Sequence, residues 1–149
     1  MALMLLQPLL AAGLLPGFAI PAGRRIHRWV GSVLVIMVVI HVAALWITSP
    51  PDVVDALLFA SPTPFSIWGV IAMWGVFTTA FIAATRRRFG LQPRIWRLSH
   101  KTLAVVIVIG SVVHAMLIEG TMETVSKAVL CALVLLVTLI ALAGWSLRK

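Results

Sequence analysis

Long apolar runs separated by short polar segments dominate the chain. Five runs contain no Asp, Glu, Lys or Arg, and they cover residues 1–23, 29–51, 56–85, 102–118 and 128–147. A helix needs about 20 predominantly apolar residues to cross a bilayer, and each run is close to that length or exceeds it. The pattern therefore predicts an all-α, multi-pass transmembrane helical bundle.

Prolines, glycines and charged residues divide these runs into five predicted membrane segments. The segments cover about residues 2–20, 25–47, 65–85, 95–118 and 124–147, within one membrane domain over residues 1–149. Residues 52–60 predict a short amphipathic element at the membrane interface. The first segment predicts a retained helix; a signal peptide is the alternative, although the basic n-region of such a peptide is missing.

Composition excludes several classes of soluble protein. Hydrophobic residues make up 62% of the 149 residues and charged residues only 11%, whereas soluble domains carry about 25% charged residues. A soluble enzyme, a nucleic-acid binder and a disulfide-stapled secreted domain are therefore not expected. The only cysteine, Cys131, lies inside an apolar run and predicts a small core residue.

The charged residues are sorted by side of the membrane. With alternating spans, eleven of the twelve basic residues fall on one face: Arg24, Arg25, Arg28, Arg86, Arg87, Arg88, Arg94, Arg97, Lys101, Arg148 and Lys149. All four acidic residues fall on the other face: Asp52, Asp55, Glu119 and Glu123. Only Lys127 breaks this partition. The positive-inside rule predicts cytoplasmic basic loops and a cytoplasmic C-terminus.

Four histidines lie in two of the predicted spans, in equal pairs. His27 and His41 belong to the second span, His100 and His114 to the fourth, and 14 residues separate the two members of each pair. Fourteen residues are nearly four helical turns, so both histidines of a span share one face about 21 Å apart. The two spans run in the same direction, which puts His27 level with His100 and His41 level with His114.

This arrangement predicts two haems held between the second and fourth spans. Two facing imidazoles at one depth can hold a flat macrocycle by its iron, and there are two such levels. A shift of 73 residues also superimposes Arg28 on Lys101. We expect these two basic residues to pair with haem propionates at the membrane edge.

Other interpretations of the histidines and of the neighbouring residues remain open. A single intramembrane histidine can simply form a hydrogen bond with another helix. A zinc site or a histidine proton path is also possible, but two imidazoles per level fill only half of a tetrahedral zinc site. Residues 86–88 act either as a topology determinant or as a docking surface for an acidic electron donor. Several small residues allow either close helix packing or room beside a haem ring: Gly31, Ser32, Gly69, Gly75, Gly110 and Ser111.

The two histidine-bearing segments resemble those of the ferric reductase-like transmembrane domain family. Residues 24–31 with His41 resemble the family's first ligand helix, and residues 96–101 with His114 resemble its second. The resemblance covers about residues 24–147. It implies b-type haem, bis-histidine ligation and electron transfer from the cytoplasmic side to the outside.

The predicted function is that of a di-haem b-type cytochrome, an electron-transfer component of an oxidoreductase. The expected donor is a cytoplasmic flavin reductase or a quinol, and the expected acceptor is a periplasmic protein or ferric iron. FAD or FMN would come only through a partner, and any reductase domain from another chain or from sequence not included here. The alternative is a haem-free membrane module that transports protons or metal ions, or that assembles a larger complex.

Overall fold

A computed structural model describes residues 1–15, 20–120 and 123–146. Their regular secondary structure is entirely helical. In chain order the helices are α1 (Ala2–Ala12), α2 (Ile20–Thr48), α3 (Pro50–Leu57), α4 (Pro64–Thr85), α5 (Pro93–Leu117) and α6 (Thr124–Ser146). The prediction of an all-α bundle is confirmed.

Four of these helices are long and apolar enough to cross a membrane. The candidate spans are Pro21–Thr48, Pro64–Thr85, Pro93–Leu117 and Thr124–Gly144. They correspond to the second to fifth predicted segments, with ends that agree to within a few residues. The predicted amphipathic element is α3, which begins two residues earlier than expected and ends at Leu57.

The first predicted segment requires a correction. The expected span over residues 2–20 is instead the 11-residue helix α1, which ends at Ala12. At about 1.5 Å per residue it reaches roughly 17 Å, well short of the ~30 Å hydrocarbon core. Gly13 ends it in the left-handed conformation, with φ of 67°. Such a residue cannot continue a right-handed helix, and residues 16–19 of the segment lie outside the described part of the chain.

Proline marks the start of three helices. Pro50, Pro64 and Pro93 each occupy the first turn, of α3, α4 and α5 respectively. A first-turn proline costs no helical hydrogen bond, because its missing N–H would have no intrahelical partner there. Pro50 also prevents α2, which ends at Thr48, from continuing. The sequence itself therefore sets these three helix starts.

The described residues belong to two compact units. Unit 1 comprises Met1–Leu34 and Gly120–Lys149, and unit 2 comprises Val35–Glu119. In unit 1, α1 packs against α6. In unit 2, α4 packs closely against α5, and α3 packs against α4.

Glycines bring α4 and α5 together. A Cβ atom at Gly75 would lie 2.8 Å from Cγ1 of Ile107, and one at Gly110 would lie 3.0 Å from the Trp68 carbonyl oxygen. The first distance is shorter than real Cβ atoms show, and the second is tighter than most of their contacts. The absence of a Cβ at both positions therefore lets the two helices approach closely. For Gly75 and Gly110 the structure therefore selects close packing from the two interpretations left open by the sequence.

Large apolar side chains cover the outside of α2. Ile36, Ile40 and Ile47 are all more than half exposed. A surface of this kind suits hydrocarbon and not water. The burial pattern thus agrees with a helix that spans a membrane.

Candidate functional site

Unit 2 contains three of the four histidines, among them His41 and His114. His41 lies on the half of α2 that belongs to this unit, and His114 lies in the last turns of α5. The His41 side chain is exposed and that of His114 is half-buried. The pairing of His41 with His114 stays a prediction.

A hydrogen bond to the backbone of α4 fixes the His114 ring. Its Nδ1 lies 2.8 Å from the carbonyl oxygen of Phe65. A carbonyl oxygen can only accept, so Nδ1 must carry the proton and donate. The other ring nitrogen, Nε2, then keeps its lone pair in the neutral ring. A histidine that binds a metal through one nitrogen usually holds its ring by such a bond from the other.

Gly69 makes room for the His114 ring. A Cβ atom at this position would lie 2.7 Å from Nδ1 and 2.8 Å from Cε1 of His114. The Phe65 ring also contacts the imidazole edge-on, with 5.9 Å between ring centroids. One turn of α4 therefore supplies a hydrogen-bond acceptor, an aromatic edge and an open position. At Gly69 the space is taken by the His114 ring, so this glycine also allows close packing of α4 against α5, and the interpretation as room beside a haem ring stays a prediction.

His27 has the same type of backbone contact in unit 1. Its Nδ1 lies 3.2 Å from the carbonyl oxygen of Gln7 in α1. The Gln7 side chain returns a second hydrogen bond, from Nε2 to the His27 carbonyl oxygen at 3.4 Å. A Cβ atom at Gly31 would lie 3.4 Å from Nε2 of Gln7. The short helix α1 thus contacts α2 at the histidine and favours a His27 tautomer with an unprotonated Nε2.

His100 contacts an aromatic ring on its own helix. Trp96 lies four residues earlier in α5, and the two rings stack with centroids 5.0 Å apart and 29° between their planes. The guanidinium carbon of Arg86 lies 5.0 Å from the Trp96 ring centroid. His27 belongs to unit 1 and His100 to unit 2.

Each basic end of these helices carries an open pocket with two arginines and a tryptophan. In unit 2 a pocket of about 330 Å³ is lined by Arg86, Arg87, Gly90, Leu91, Pro93 and Trp96. In unit 1 a pocket of about 250 Å³ is lined by Arg25, Arg28, Trp29 and Ser32. Paired guanidinium groups suit carboxylates and phosphates. Arg28, which was expected to pair with a propionate, is exposed there, and Lys101 is half-buried on α5.

The residues around His114 fit the binding of a flat macrocycle. Within residues 1–15, 20–120 and 123–146, no three His, Cys, Asp or Glu side chains form a group that could hold a metal ion. A pair of imidazoles supplies both axial ligands of a haem iron. The His114 tautomer and the space at Gly69 fit this role, so the residues present suit a bis-histidine haem.

Gln7, Phe65 and the Arg86–Trp96 contact were missed by sequence reasoning. Gln7 is the only polar side chain in α1, and such an isolated polar residue in an apolar helix was an available signal. The four-residue spacing of Trp96 and His100 also predicts contact on one helix face. The hydrogen bond from His114 to Phe65 has no sequence signal, because every residue carries a backbone carbonyl group.

Comparison with known proteins gives one family match. The chain matches the family described as "Ferric reductase like transmembrane component" over residues 1–111. No curated protein and no solved structure matches it. The matched region contains His27, His41 and His100 and ends three residues before His114. It begins and ends earlier than the resemblance drawn from residues 24–147.

Proposed function

Because the chain belongs to the ferric reductase like transmembrane component family, we propose that it is a di-haem b-type cytochrome. It moves electrons across the bacterial inner membrane, from a donor on the cytoplasmic side to an acceptor outside. The observation that carries the proposal is the 2.8 Å hydrogen bond that orients the His114 ring, together with the equal 14-residue spacing of the histidines on α2 and α5.

The ligands are assigned in pairs by depth. His41 and His114 hold the outer haem, and His27 and His100 hold the cytoplasmic one. Support for the inner pair comes from the equal 14-residue spacing on α2 and α5. It also comes from the hydrogen bond between His27 Nδ1 and the Gln7 carbonyl oxygen, which matches the contact made by His114.

The residues around the ligands have defined tasks in this proposal. A haem held by two histidines exchanges single electrons at its edge and offers no open iron position to a substrate. The carbonyl oxygens of Phe65 and Gln7 fix the ligand tautomers. Arg28 and Lys101, next to the inner ligands, offer positive charge to propionates at the membrane edge. Apolar side chains of the spanning helices keep water away and so help to set the potential.

The direction of transfer follows from the charge partition. The basic residues 86–88 lie between α4 and α5, whereas Asp52 and Asp55 lie in α3 at the opposite ends of the spans. The positive-inside rule places the basic ends in the cytoplasm. A cytoplasmic flavin reductase or a quinol then supplies electrons, and FAD or FMN comes only with such a partner. A periplasmic protein or ferric iron takes them up, while membrane lipid surrounds the helices.

A haem count on the purified protein tests the proposal. Low-spin haem gives sharp visible bands on reduction, and a pyridine haemochrome assay against protein concentration should approach two haems per chain. His114→Ala should lose one of them. Val39→Ala should lose none, because Val39 is 51% exposed and lies two residues from His41, on a different face of α2. A ratio of one haem per chain would mean that only one of the two histidine pairs binds haem. A protein without visible bands would favour the haem-free transport or assembly module.

A further inference from the structure

His100 differs from the other three histidines in the residue one turn before it. Trp96 occupies that position, whereas Gly23, Met37 and Gly110 precede His27, His41 and His114 by four residues. Side chains four residues apart lie on the same helix face. The Trp96 and His100 rings accordingly stack, with 5.0 Å between centroids and 29° between planes.

Arg86 extends this contact towards the basic end of the helices. It follows the last residue of α4, and its guanidinium carbon lies over the Trp96 ring at 5.0 Å. A cation over the face of an indole ring is attracted by the ring quadrupole. Both residues line the open pocket in unit 2. The Arg86–Trp96–His100 stack therefore connects a predicted haem ligand to a pocket that opens at the basic end.

We propose that Trp96 is a positioning residue for His100 and that Arg86 holds Trp96 in place. The inference rests on the proposed function, since it requires His100 to be a haem ligand. An imidazole can rotate about its bond to iron unless a neighbouring group restrains its plane. At His27 and His114 a backbone carbonyl oxygen supplies the restraint through Nδ1. At His100 the stacked indole restrains the plane directly, and this plane influences the electronic structure of a ferric bis-imidazole haem.

The test uses the full-length, haem-loaded protein and two measurements other than activity. Electron paramagnetic resonance of the ferric protein reports the relative orientation of the two axial imidazole planes. A redox titration reports the midpoint potential of each haem. W96L removes the aromatic ring, W96F keeps a ring that can stack, and R86Q removes the cation above it. W74L is the matched control, because Trp74 is 54% exposed on α4 and its ring contacts Phe77.

We expect W96L to shift the largest g value and the midpoint potential of one haem and to leave the other haem unchanged. W96F, which keeps a ring, should retain the wild-type values. R86Q should shift the same haem by a smaller amount. W74L should change neither the g value nor the midpoint potential. Unchanged values in W96L, or the same shift in W74L, would overturn the inference. If W96L retains no haem, the other two variants provide the test. Unchanged g values and potentials in R86Q, or shifted ones in W96F, would then overturn the inference. Absence of haem from the wild-type protein would refute the proposed function itself. Failure of the proposed function can therefore be distinguished from failure of the Trp96 inference.

Discussion

The substitution Gly69→Ala tests the outer histidine pair most directly. The added Cβ would lie 2.7 Å from His114 Nδ1, whereas ordinary van der Waals contact begins near 3.4 Å. The imidazole must therefore move by about 0.7 Å, or α4 must move away from it. The hydrogen bond from Nδ1 to the Phe65 carbonyl oxygen is 2.8 Å long, and such a bond is lost at about 3.6 Å. A movement of this size is enough to weaken or break it.

Two opposing effects set the magnitude. Loss of a hydrogen bond of this kind costs about 0.5–1.5 kcal/mol, whereas Ala in place of Gly gains up to about 1 kcal/mol of helix propensity. The free energy of unfolding should therefore change little. Loss of a partner that orients a metal ligand lowers metal affinity about 10–100-fold. We expect the affinity of the outer site for haem to fall by that factor, while the inner site is unaffected.

The assay is a titration of the haem-depleted protein with haemin, followed by a pyridine haemochrome count. Gly75→Ala is the matched control on the same helix. Its Cβ would lie 2.8 Å from Cγ1 of Ile107, which is an equally tight contact but does not involve a histidine. Equal haem affinity in the two variants would refute the reasoning, because the effect would then belong to α4–α5 packing and not to His114.

Three further predictions concern topology, the electron path and the role of α1. Cysteine labelling of intact cells should modify Asp55→Cys but not Arg87→Cys, since the positive-inside rule places the acidic end outside. His27→Ala should abolish reduction by a cytoplasmic donor, because His41 lies about 21 Å further along α2; His41→Ala should permit reduction but block delivery to an outside acceptor. Gly31→Leu should lower inner-site haem affinity by displacing the α1 side chain that it contacts.

Each of these predictions has a result that contradicts it. Labelling of Arg87→Cys alone would reverse the topology and with it the haem that is reduced first. Rapid reduction of the remaining haem in the His27→Ala variant, from the cytoplasmic side, would exclude a two-step relay. It would favour a quinol donor near the outer face. For Gly31→Leu the matched control is Ala44→Leu, on an exposed part of the same helix. If both leucine variants bind haem equally, α1 does not orient His27.

The sequence by itself determined the spanning helices and the candidate ligands. Uncharged runs near 20 residues require helices in a bilayer, since backbone groups find no water there. First-turn prolines such as Pro64 and Pro93 set the starts of α4 and α5. The 14-residue spacing places the two histidines of each helix on the same face. All of these are local or periodic features, and the chain displays them directly.

The tertiary structure decided what surrounds the ligands. The carbonyl oxygen that binds His114 is 49 residues away in the chain, and the one that contacts His27 is 20 residues away. A carbonyl group carries no sequence signal, so only packing reveals which one a ring reaches. The two roles of glycine, close packing at Gly75 and space for a ring at Gly69, likewise depend on which side chain the opposite helix presents. The length of α1 was overestimated because apolar composition alone does not show where the backbone of Gly13 turns left-handed.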